Sequence, residues 1–194
     1  MKGRPLAFDP IEDVLEELKA GRMIVLVDDE QRENEGDLVC PAQHVTPEVV
    51  NFMITHGRGL LCVALDGPIC DQLDLGPQGP VNTSQLATAY TITVDASSRF
   101  GITTGVSARD RAATIARLAA PDAVPSDFAR PGHVNPLRAR DGGVLVRTGQ
   151  TEGSVDLCRM GGLQPAAAII EVMNDDGTMA RRPELEALCR QHHL

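Results

Sequence analysis

Apolar residues follow two spacings along this chain, and each spacing predicts a different kind of element. Unbroken or alternating apolar runs predict strands at 23–27, 60–65, 91–95, 144–147 and 166–173. Apolar residues three or four positions apart predict helices at 11–18, 49–56, 108–119, from 152 to the glycines at 161 and 162, and at the end of the sequence. Because the two kinds of element are interleaved, we expect a single layered domain of α/β type, with a mixed β-sheet flanked by helices. The pattern does not predict the strand order.

Residues at the ends of these segments indicate where helices begin and where loops lie. Asp9 and Glu12 match a capping box at the start of the first helix. Ser107 and Thr151 are expected to cap two later helices, because a hydroxyl can accept a bond from the first free N–H groups. Residues 121–136 contain several prolines and are predicted to form a long ordered loop.

The composition argues against several classes of protein. The formal net charge is −9 and only 3% of the residues are aromatic, so neither nucleic acid nor a membrane is an expected partner. The five cysteines are widely spaced and include no CxxC pair, which favours free thiols in a reducing compartment. No apolar run is long enough to span a membrane, and the first residues lack the apolar core of a secretion signal. We therefore expect a cytoplasmic protein.

An acidic segment, DDEQRENEGDL at 28–38, directly follows the first predicted strand. It holds six carboxylates and one arginine, and the carboxylates repel one another unless more positive charge lies among them. Oxygen ligands of this kind suit Mg²⁺ better than zinc. The alternative is a solvated acidic turn without a function. The position after a rigid buried strand, where catalytic loops are common, favours a site.

A basic segment lies in the second half of the chain. Four arginines, at 130, 138, 140 and 147, surround His133 in a sequence that is otherwise acidic. Residues 147–151 lead from a predicted strand into a predicted helix, and the free N–H groups of a helix N-terminus can bind a phosphate. The GxxxxGK[ST] phosphate-loop pattern is absent. The segment therefore predicts either an anion site or an ordinary helix cap.

Three single residues suggest chemistry, and each has a plainer interpretation. His133 lies in a stiff, proline-containing segment and is the type of side chain that carries protons at neutral pH, although an isolated histidine is more often structural. Glu171 lies within an apolar strand, where burial favours a carboxylic acid that can exchange protons, unless it faces solvent at a sheet edge. Cys62, in LLCVAL, is expected to be a small buried apolar residue.

Five segments of the sequence occur in the order and spacing of one known family. They are VDDEQRENEGDL, GITTGVSARDRAATI, RPGHVNPLRARDGGVL, TEGSVDL and EVMNDDGTMAR. On these segments the chain resembles 3,4-dihydroxy-2-butanone 4-phosphate synthase, of riboflavin biosynthesis. The resemblance implies a homodimeric α+β lyase that converts D-ribulose 5-phosphate to 3,4-dihydroxy-2-butanone 4-phosphate and formate, and that requires Mg²⁺ or Mn²⁺. We expect residues 1–194 to form a single domain of this kind, without the GTP cyclohydrolase II module that is often fused to it.

The resemblance also implies roles for individual residues. It implies that His133 and Glu171 are essential to catalysis and that Glu33 binds the metal. Glu33 and Glu171 are also implied to contact substrate, and the other positions implied to lie in or near the substrate site are Asp28, Arg32, Asp37, Cys62, Thr104, Arg147, Thr148, Gly149, Gln150 and Thr151. Residues 147–151 would hold mainly the phosphate. Removal of a proton beside the ketone then requires a base, together with a cation that stabilises the enediolate.

Two positions depart from the family pattern. Gln150 stands where the family usually has the histidine of a GHTE sequence, its second protein metal ligand. The amide oxygen of Gln150 is nevertheless a donor that Mg²⁺ accepts, so we expect Gln150 to bind the metal. Asn135 replaces an aromatic residue that commonly follows PGHV. Both changes leave open a related metal-dependent enzyme acting on another phosphosugar, or a catalytically silent homologue that serves as a binding partner.

Overall fold

Six strands form one mixed sheet in the computed structural model, which describes residues 8–194. The strands are β1 (Ile24–Val27), β2 (Gly36–Pro41), β3 (Cys62–Leu65), β4 (Val94–Ala96), β5 (Phe128–Arg138) and β6 (Ala166–Glu171). Their order across the sheet is β1-β2-β6-β3-β5-β4. The β3–β5 pair is parallel and the other neighbouring pairs are antiparallel. The predicted mixed sheet is therefore confirmed, with β1 and β4 at its edges.

Helices cover both faces of this sheet. They are α1 (Ile11–Lys19), α2 (Pro47–His56), α3 (Gly67–Gln72), α4 (Ala108–Leu118), α5 (Gln150–Met160) and α6 (Arg182–His192). One apolar core joins the sheet to α2, α3, α4 and α6, and a second core joins the opposite face to α1 and α5. The longest helices have 11 residues, and none within residues 8–194 has both the length and the apolar character needed to cross a membrane. The layered α+β architecture is confirmed.

The central strand β6 shows why some runs are apolar without a break. Ala168 and Ile170 pack into the core on the α2 and α4 side, whereas Ala167 and Ile169 pack into the core on the α1 and α5 side. Successive side chains of a strand point to opposite faces, so a strand covered on both faces needs an apolar residue at each position. The same holds for the neighbouring strand β3. The strands predicted from these two runs are confirmed.

The longest strand, β5, occupies much of a segment that was predicted to be a loop. Pro136 of β5 pairs with Val63 of β3. Its carbonyl accepts hydrogen bonds from the N–H and the hydroxyl of Thr91 at 3.0 and 3.1 Å. Proline can take part in a sheet in this way because it lacks only the N–H donor. The loop prediction for 121–136 is therefore wrong from Phe128 onward.

The apolar run at 144–147 is not a strand. Gly143–Leu145 forms a 3-10 turn, and Gly142 and Gly143 have φ values of +93° and +59°. Backbone in this left-handed region, which glycine adopts readily, bends the chain away from an extended course. Leu145 is 95% exposed. The strand prediction is wrong because, within residues 8–194, no strand pairs with this apolar run and its side chains are largely exposed.

Two predictions near the start of the described residues are wrong in detail. Asp9 does not form the expected capping box, since Pro10 is the N-cap of α1 and no side chain bonds there. β1 packs against both cores, but its residues after Ile24 are only half-buried and it lies at the edge of the sheet, so it is not fully buried as predicted. Ser107, in contrast, caps α4 as predicted, and its hydroxyl accepts a hydrogen bond from the N–H of Asp110 at 3.0 Å.

Candidate active site

Most of the candidate residues lie at one end of the sheet. The acidic segment links β1 to β2. Residues 28–35 form a loop, whereas residues 36–38 belong to β2 and were wrongly predicted as loop. In β2, Asp37 pairs with Glu171, the last residue of β6. The N-terminus of α5 reaches the same place, because the amide oxygen of Gln150 accepts a hydrogen bond from Arg32 at 3.0 Å. Three segments that are far apart in the sequence therefore meet here.

The side chain of Asp28 organises the acidic loop. Its carboxylate accepts hydrogen bonds from the backbone N–H groups of Glu33 at 3.0 Å and Glu35 at 2.9 Å. It accepts a further bond from Arg32 Nη1 at 2.8 Å, and the side chain is only 2% exposed. The neighbouring Asp29 is exposed. The loop is thus folded around one buried carboxylate and is not a solvated acidic turn.

Arg32 joins the acidic loop to α5. Its Nη1 contacts the carboxylates of Asp28 and Glu33 and the Oε1 atom of Gln150. Glu33 and Gln150 therefore direct oxygen atoms at a single nitrogen, although they are far apart in the sequence. The two implied metal ligands are brought together around a positive charge.

Asp37 and Glu171 form a pair of carboxyl groups in neighbouring strands. Asp37 is 4% exposed, and burial raises its pKa well above the usual value, an effect increased by the negative charges of Glu171 and Glu33. Its Oδ1 is buried and has no hydrogen-bond partner among the described residues. Glu171 is fixed by a bond from the N–H of Leu60 to its Oε2 at 2.8 Å. Such a pair favours the uptake of a proton or a nearby cation.

His133 on β5 is fixed by Asp95 of β4. Asp95 Oδ1 accepts a hydrogen bond from the backbone N–H of His133 at 2.9 Å, and Oδ2 lies 2.7 Å from Nδ1 of the ring. Because a carboxylate can only accept, Nδ1 of the neutral ring carries the proton and Nε2 carries the lone pair. The ring is half-exposed. Nε2 is therefore the nitrogen available to exchange a proton with a bound molecule.

The turn that carries Thr104 packs on this histidine. A Cβ atom on Gly105 would overlap Asp95 Oδ2 and would lie 2.7 Å from His133 Nδ1, so only glycine fits. Asp110 of α4 holds the turn in place and accepts a hydrogen bond from the N–H of Gly105 at 3.0 Å. Thr104 itself is exposed beside this contact.

His133 and Glu171 lie at the same end of the sheet. Cys62 of β3 pairs with Ile169 of β6 on one side and with Asn135 of β5 on the other. Glu171 is two residues beyond Ile169 and His133 is two residues before Asn135, so both side chains point to the same face as Cys62. The strand spacing places their backbones about 10 Å apart. A small molecule at this end of the sheet can contact both side chains.

Arg147 is held by three acceptors ahead of α5. Its guanidinium donates to Glu152 Oε2 at 2.7 Å, to Thr88 Oγ1 at 3.1 Å and to the carbonyl of Leu86 at 3.2 Å. The side chain of Glu152 is only 1% exposed. Arg147 is therefore oriented by a buried carboxylate and draws the segment at 86–88 towards the start of α5.

Helix α5 begins earlier than predicted. Gly149 is the N-cap and Gln150 is the first helical residue, so Thr151 lies inside the first turn and is not the cap. Glycine is tolerated at an N-cap, where the backbone is not yet helical. Thr148 is exposed, whereas Gln150 and Thr151 are buried. The first N–H groups of a helix have no partner within it, so this end of α5 suits a phosphate.

Cys62 is buried beside the acidic pair. It is 2% exposed, and burial raises the pKa of its thiol, with a further increase from the charges of Glu171 and Asp37. Burial also raises the pKa of Tyr90 to about 12, and the phenol interacts with the same thiol. The prediction of a small buried residue is confirmed, and Cys62 is a neutral thiol and not a nucleophile.

One protein-family model, described as 3,4-dihydroxy-2-butanone 4-phosphate synthase, matches residues 12–194. The chain belongs to this family. It is 54% identical to the riboflavin biosynthesis protein RibBA of Aquifex aeolicus over 187 residues, which are 96% of this chain and 46% of that protein. It is 52% identical to the 3,4-dihydroxy-2-butanone 4-phosphate synthase of Pseudomonas syringae pv. tomato over 189 residues, which are 97% of this chain and 51% of that protein. The chain thus spans about half the length of these curated relatives.

Solved structures of 3,4-dihydroxy-2-butanone 4-phosphate synthases share the fold. One of them, in complex with two magnesium ions, has a TM-score of 0.91 and 44% identity, covering 96% of this chain and 91% of that chain. A two-domain synthase from A. baumannii, RibBX, has a TM-score of 0.91 and 47% identity, covering 96% of this chain and 54% of that chain. The sheet and helices described above are therefore those of this synthase family.

The residues at the acidic end of this synthase fold fit a hard divalent cation. Glu33 and Gln150 supply oxygen atoms that meet at Arg32, and Asp37 adds a buried oxygen without a hydrogen-bond partner among the described residues. Within residues 8–194, no three His, Cys, Asp or Glu side chains form a complete metal cage. Mg²⁺ usually takes one or two protein oxygens and completes its shell with water and substrate oxygens. The donor set matches that pattern.

The candidate residues fall into three groups in the structure. The first group surrounds the acidic loop and consists of Asp28, Arg32, Glu33, Asp37, Cys62, Gln150 and Glu171. The second contains His133 and Thr104, across β3 from Glu171, and the third is the approach to α5 at 147–151. Asp95 was not predicted as a site residue, although a carboxylate in a predicted strand was the same signal that identified Glu171.

Proposed function

We propose that this chain is a lyase of riboflavin biosynthesis that converts D-ribulose 5-phosphate to 3,4-dihydroxy-2-butanone 4-phosphate and formate. The observation that carries the proposal is the meeting of Glu33, Gln150 and the Asp37–Glu171 pair at one end of a sheet that belongs to this synthase family. Relatives that are 52% and 51% identical to the chain have the synthase name.

The proposed cofactor is Mg²⁺ or Mn²⁺, with Glu33 and Gln150 as its protein ligands. A homologous synthase was solved with two magnesium ions, and the oxygen donors here suit the same ion. When bound, the ion would stabilise the negative charge that develops on the ketone oxygen. Arg32 keeps the two ligands close together, and it contacts the substrate in this proposal.

His133 and Glu171 are the proposed proton carriers. Nε2 of His133 faces the substrate because Asp95 holds Nδ1. Glu171 keeps one oxygen on the N–H of Leu60, and its other oxygen contacts the sugar. Two proton-exchanging groups on either side of a small substrate allow one to remove a proton while the other donates one.

The phosphate is proposed to bind at 147–151. Arg147 supplies a charge that is already oriented, Thr148 supplies an exposed hydroxyl, and α5 supplies the free N–H groups of its first turn. Binding of a phosphate that does not react would fix the position of the carbons that do, so this binding energy serves the chemical step.

The direct test is to incubate the purified protein with D-ribulose 5-phosphate, with and without Mg²⁺, and to quantify formate and the four-carbon product. We expect formate release that requires Mg²⁺ and stops with EDTA. Glu33→Gln should abolish it, whereas Glu30→Gln, at an exposed carboxylate of the same loop, should not. Binding of the phosphosugar without formate release would favour a silent homologue. Conversion of a different phosphosugar would favour the related enzyme.

We further propose that residues 1–194 act as one catalytic domain that forms a homodimer in the cytoplasm, as the family resemblance implies. All five cysteines are free thiols, which suits a reducing compartment. Static light scattering on the purified protein distinguishes a dimer from a monomer of 20.7 kDa.

A further inference from the structure

α6 contacts the acidic loop through one arginine. Nη1 of Arg181, at the N-cap of α6, donates to the carbonyl of Glu33 at 2.8 Å and also to the carbonyl of Asn34. None of the site residues implied by the family resemblance lies on α6. The loop is nevertheless held from two sides, by the carboxylate of Asp28 within it and by Arg181 outside it.

The carbonyls that Arg181 binds belong to a tight turn. Asn34 has a φ value of +54°, in the left-handed region that asparagine adopts more readily than most residues with a side chain. Two consecutive carbonyls converge on one nitrogen, which fixes both peptide groups. Because these peptide groups are fixed, the direction in which the Glu33 side chain leaves the backbone is fixed too.

Arg181 is itself held firmly by its helix. Its backbone N–H donates to Glu184 Oε2 at 3.0 Å. Leu185, in the first turn of α6, is 4% exposed and packs on the first residue of β2, where a Cβ on Gly36 would lie 2.5 Å from Leu185 Cδ1. Because Gly36 directly follows the acidic loop, close packing sets the position of Arg181 relative to the loop.

The two arginines of the site act on different parts of the loop. Arg32 binds side chains, namely the carboxylates of Asp28 and Glu33. Arg181 binds only backbone carbonyls of the loop. Arg181 also opposes the rise in the pKa of Glu35 that burial and the charge of Glu33 cause.

We propose that Arg181 is a positioning residue, which fixes the peptide groups at 33 and 34 so that the Glu33 carboxylate is presented to a divalent cation. The C-terminal helix thereby completes the metal site. This inference rests on the proposed function, in which Glu33 is a metal ligand. The direction in which the cation affinity changes when Arg181 is replaced distinguishes positioning from simple electrostatics. Loss of a positive charge beside carboxylates would by itself strengthen cation binding, whereas loss of positioning weakens it.

The test measures the binding of Mn²⁺ alone, from the electron paramagnetic resonance signal of the free ion, without substrate. Arg181→Met removes both hydrogen bonds, and we expect Mn²⁺ affinity to fall about tenfold or more. Arg181→Lys keeps one donor nitrogen at a similar reach. Because both native bonds come from a single nitrogen, we expect Arg181→Lys to stay within about threefold of the wild type.

Two further variants separate positioning from general damage. Arg190→Met is the matched control, since Arg190 lies on the same helix and pairs with Glu186 at 3.7 Å. We expect its Mn²⁺ affinity to equal that of the wild type. Arg181→Gln is a second uncharged variant, expected to behave like Arg181→Met, and it provides the comparison if methionine unfolds the helix. The thermal melting curve is recorded for each protein.

Unchanged or tighter Mn²⁺ binding in a folded Arg181→Met or Arg181→Gln protein would overturn the inference. Equal weakening in Arg181→Lys would overturn it too. The formate assay separates this result from the proposed function. If Mn²⁺ binding depends on Arg181 but the wild type releases no formate, the inference stands and the function fails. If the wild type releases formate but its Mn²⁺ affinity does not depend on Arg181, the proposed function stands and the inference fails. If the wild type binds no Mn²⁺, both fail.

Discussion

At the scale of single residues, Gln150 is one of the two positions at which this chain departs from the pattern that the family resemblance implies. Its Oε1 is directed at the acidic loop and accepts a hydrogen bond from Arg32 at 3.0 Å, and the residue is 7% exposed. An amide oxygen is a hard donor, whereas the imidazole that the family resemblance implies at this position offers a softer nitrogen. Under the proposed function, we therefore expect the glutamine to change which ion the site prefers more than whether it binds one.

Gln150→His is expected to change the affinity for two ions by different amounts. Nitrogen ligands favour Mn²⁺ over Mg²⁺, so Mn²⁺ binding should tighten about three- to tenfold and Mg²⁺ binding less. Calorimetric titration of each ion into the metal-free protein measures both effects. Gln191→His, at an exposed glutamine of α6, is the control. Identical titrations for the wild type and Gln150→His would mean that Gln150 is not a metal ligand.

At the scale of elements, the patterns that predicted correctly are those set by burial. β3 and β6 are covered on both faces, so their apolar runs could only be buried strands. The turn at 143–145 carries apolar side chains that are exposed, and β5 contains Pro136, whose carbonyl still accepts hydrogen bonds from Thr91. In both cases the local sequence pattern is misleading, because whether a segment forms a strand depends on whether a neighbouring strand pairs with it. Helix α3 was not predicted, because its six residues are too few to show a helical period.

The pairing of β4 with β5 gives a prediction about Asp95. Asparagine would keep one oxygen for the backbone N–H of His133, but it would turn an N–H₂ group towards Nδ1. The ring proton would then move to Nε2, which could no longer accept a proton from the substrate. We expect Asp95→Asn to lower the rate of formate release by about 10²-fold or more.

The measurements for Asp95→Asn are the steady-state rate and the ¹⁵N chemical shifts of the His133 ring, which report the tautomer. Asp122→Asn is the matched control, because Asp122 is an exposed carboxylate that pairs with Arg117. A wild-type rate together with an altered tautomer would show that Nε2 of His133 takes no part in proton transfer.

At the scale of the whole molecule, the candidate site is assembled from the acidic loop, five strands and two helices. Residue types and family resemblance together predicted the acidic loop, His133 and Glu171. They did not predict the Asp95–His133 pair or the bonds from Arg181 to the loop. Those contacts join distant segments and depend on the strand order and on the packing of α6, which the apolar pattern does not encode. The presence of these residues at one end of the sheet was therefore easier to predict than the partners that hold them.

The crowding of carboxyl groups at one end of the molecule has a consequence for its stability. The pKa of Asp37 in the folded protein is raised above its ordinary 3.8 by burial and by the charges of Glu171 and Glu33. The folded state therefore binds this proton more tightly than the unfolded chain does. The resulting stabilisation is complete below pH 3.8 and is lost as the pH rises through the folded-state pKa.

Asp37→Asn should remove this pH dependence, because asparagine has the shape of the protonated acid and does not ionise. In metal-free buffer we expect the variant to exceed the wild type in free energy of unfolding by roughly 1–3 kcal/mol at about pH 8, with the difference shrinking towards pH 4. Urea unfolding across this range measures it, and Asp29→Asn, at an exposed position of the same loop, is the control. Added Mg²⁺ should narrow the difference, because a bound cation offsets the repulsion that ionised Asp37 experiences. A difference that stays constant with pH would mean that Asp37 remains in one protonation state throughout, and the buried pair would then be structural.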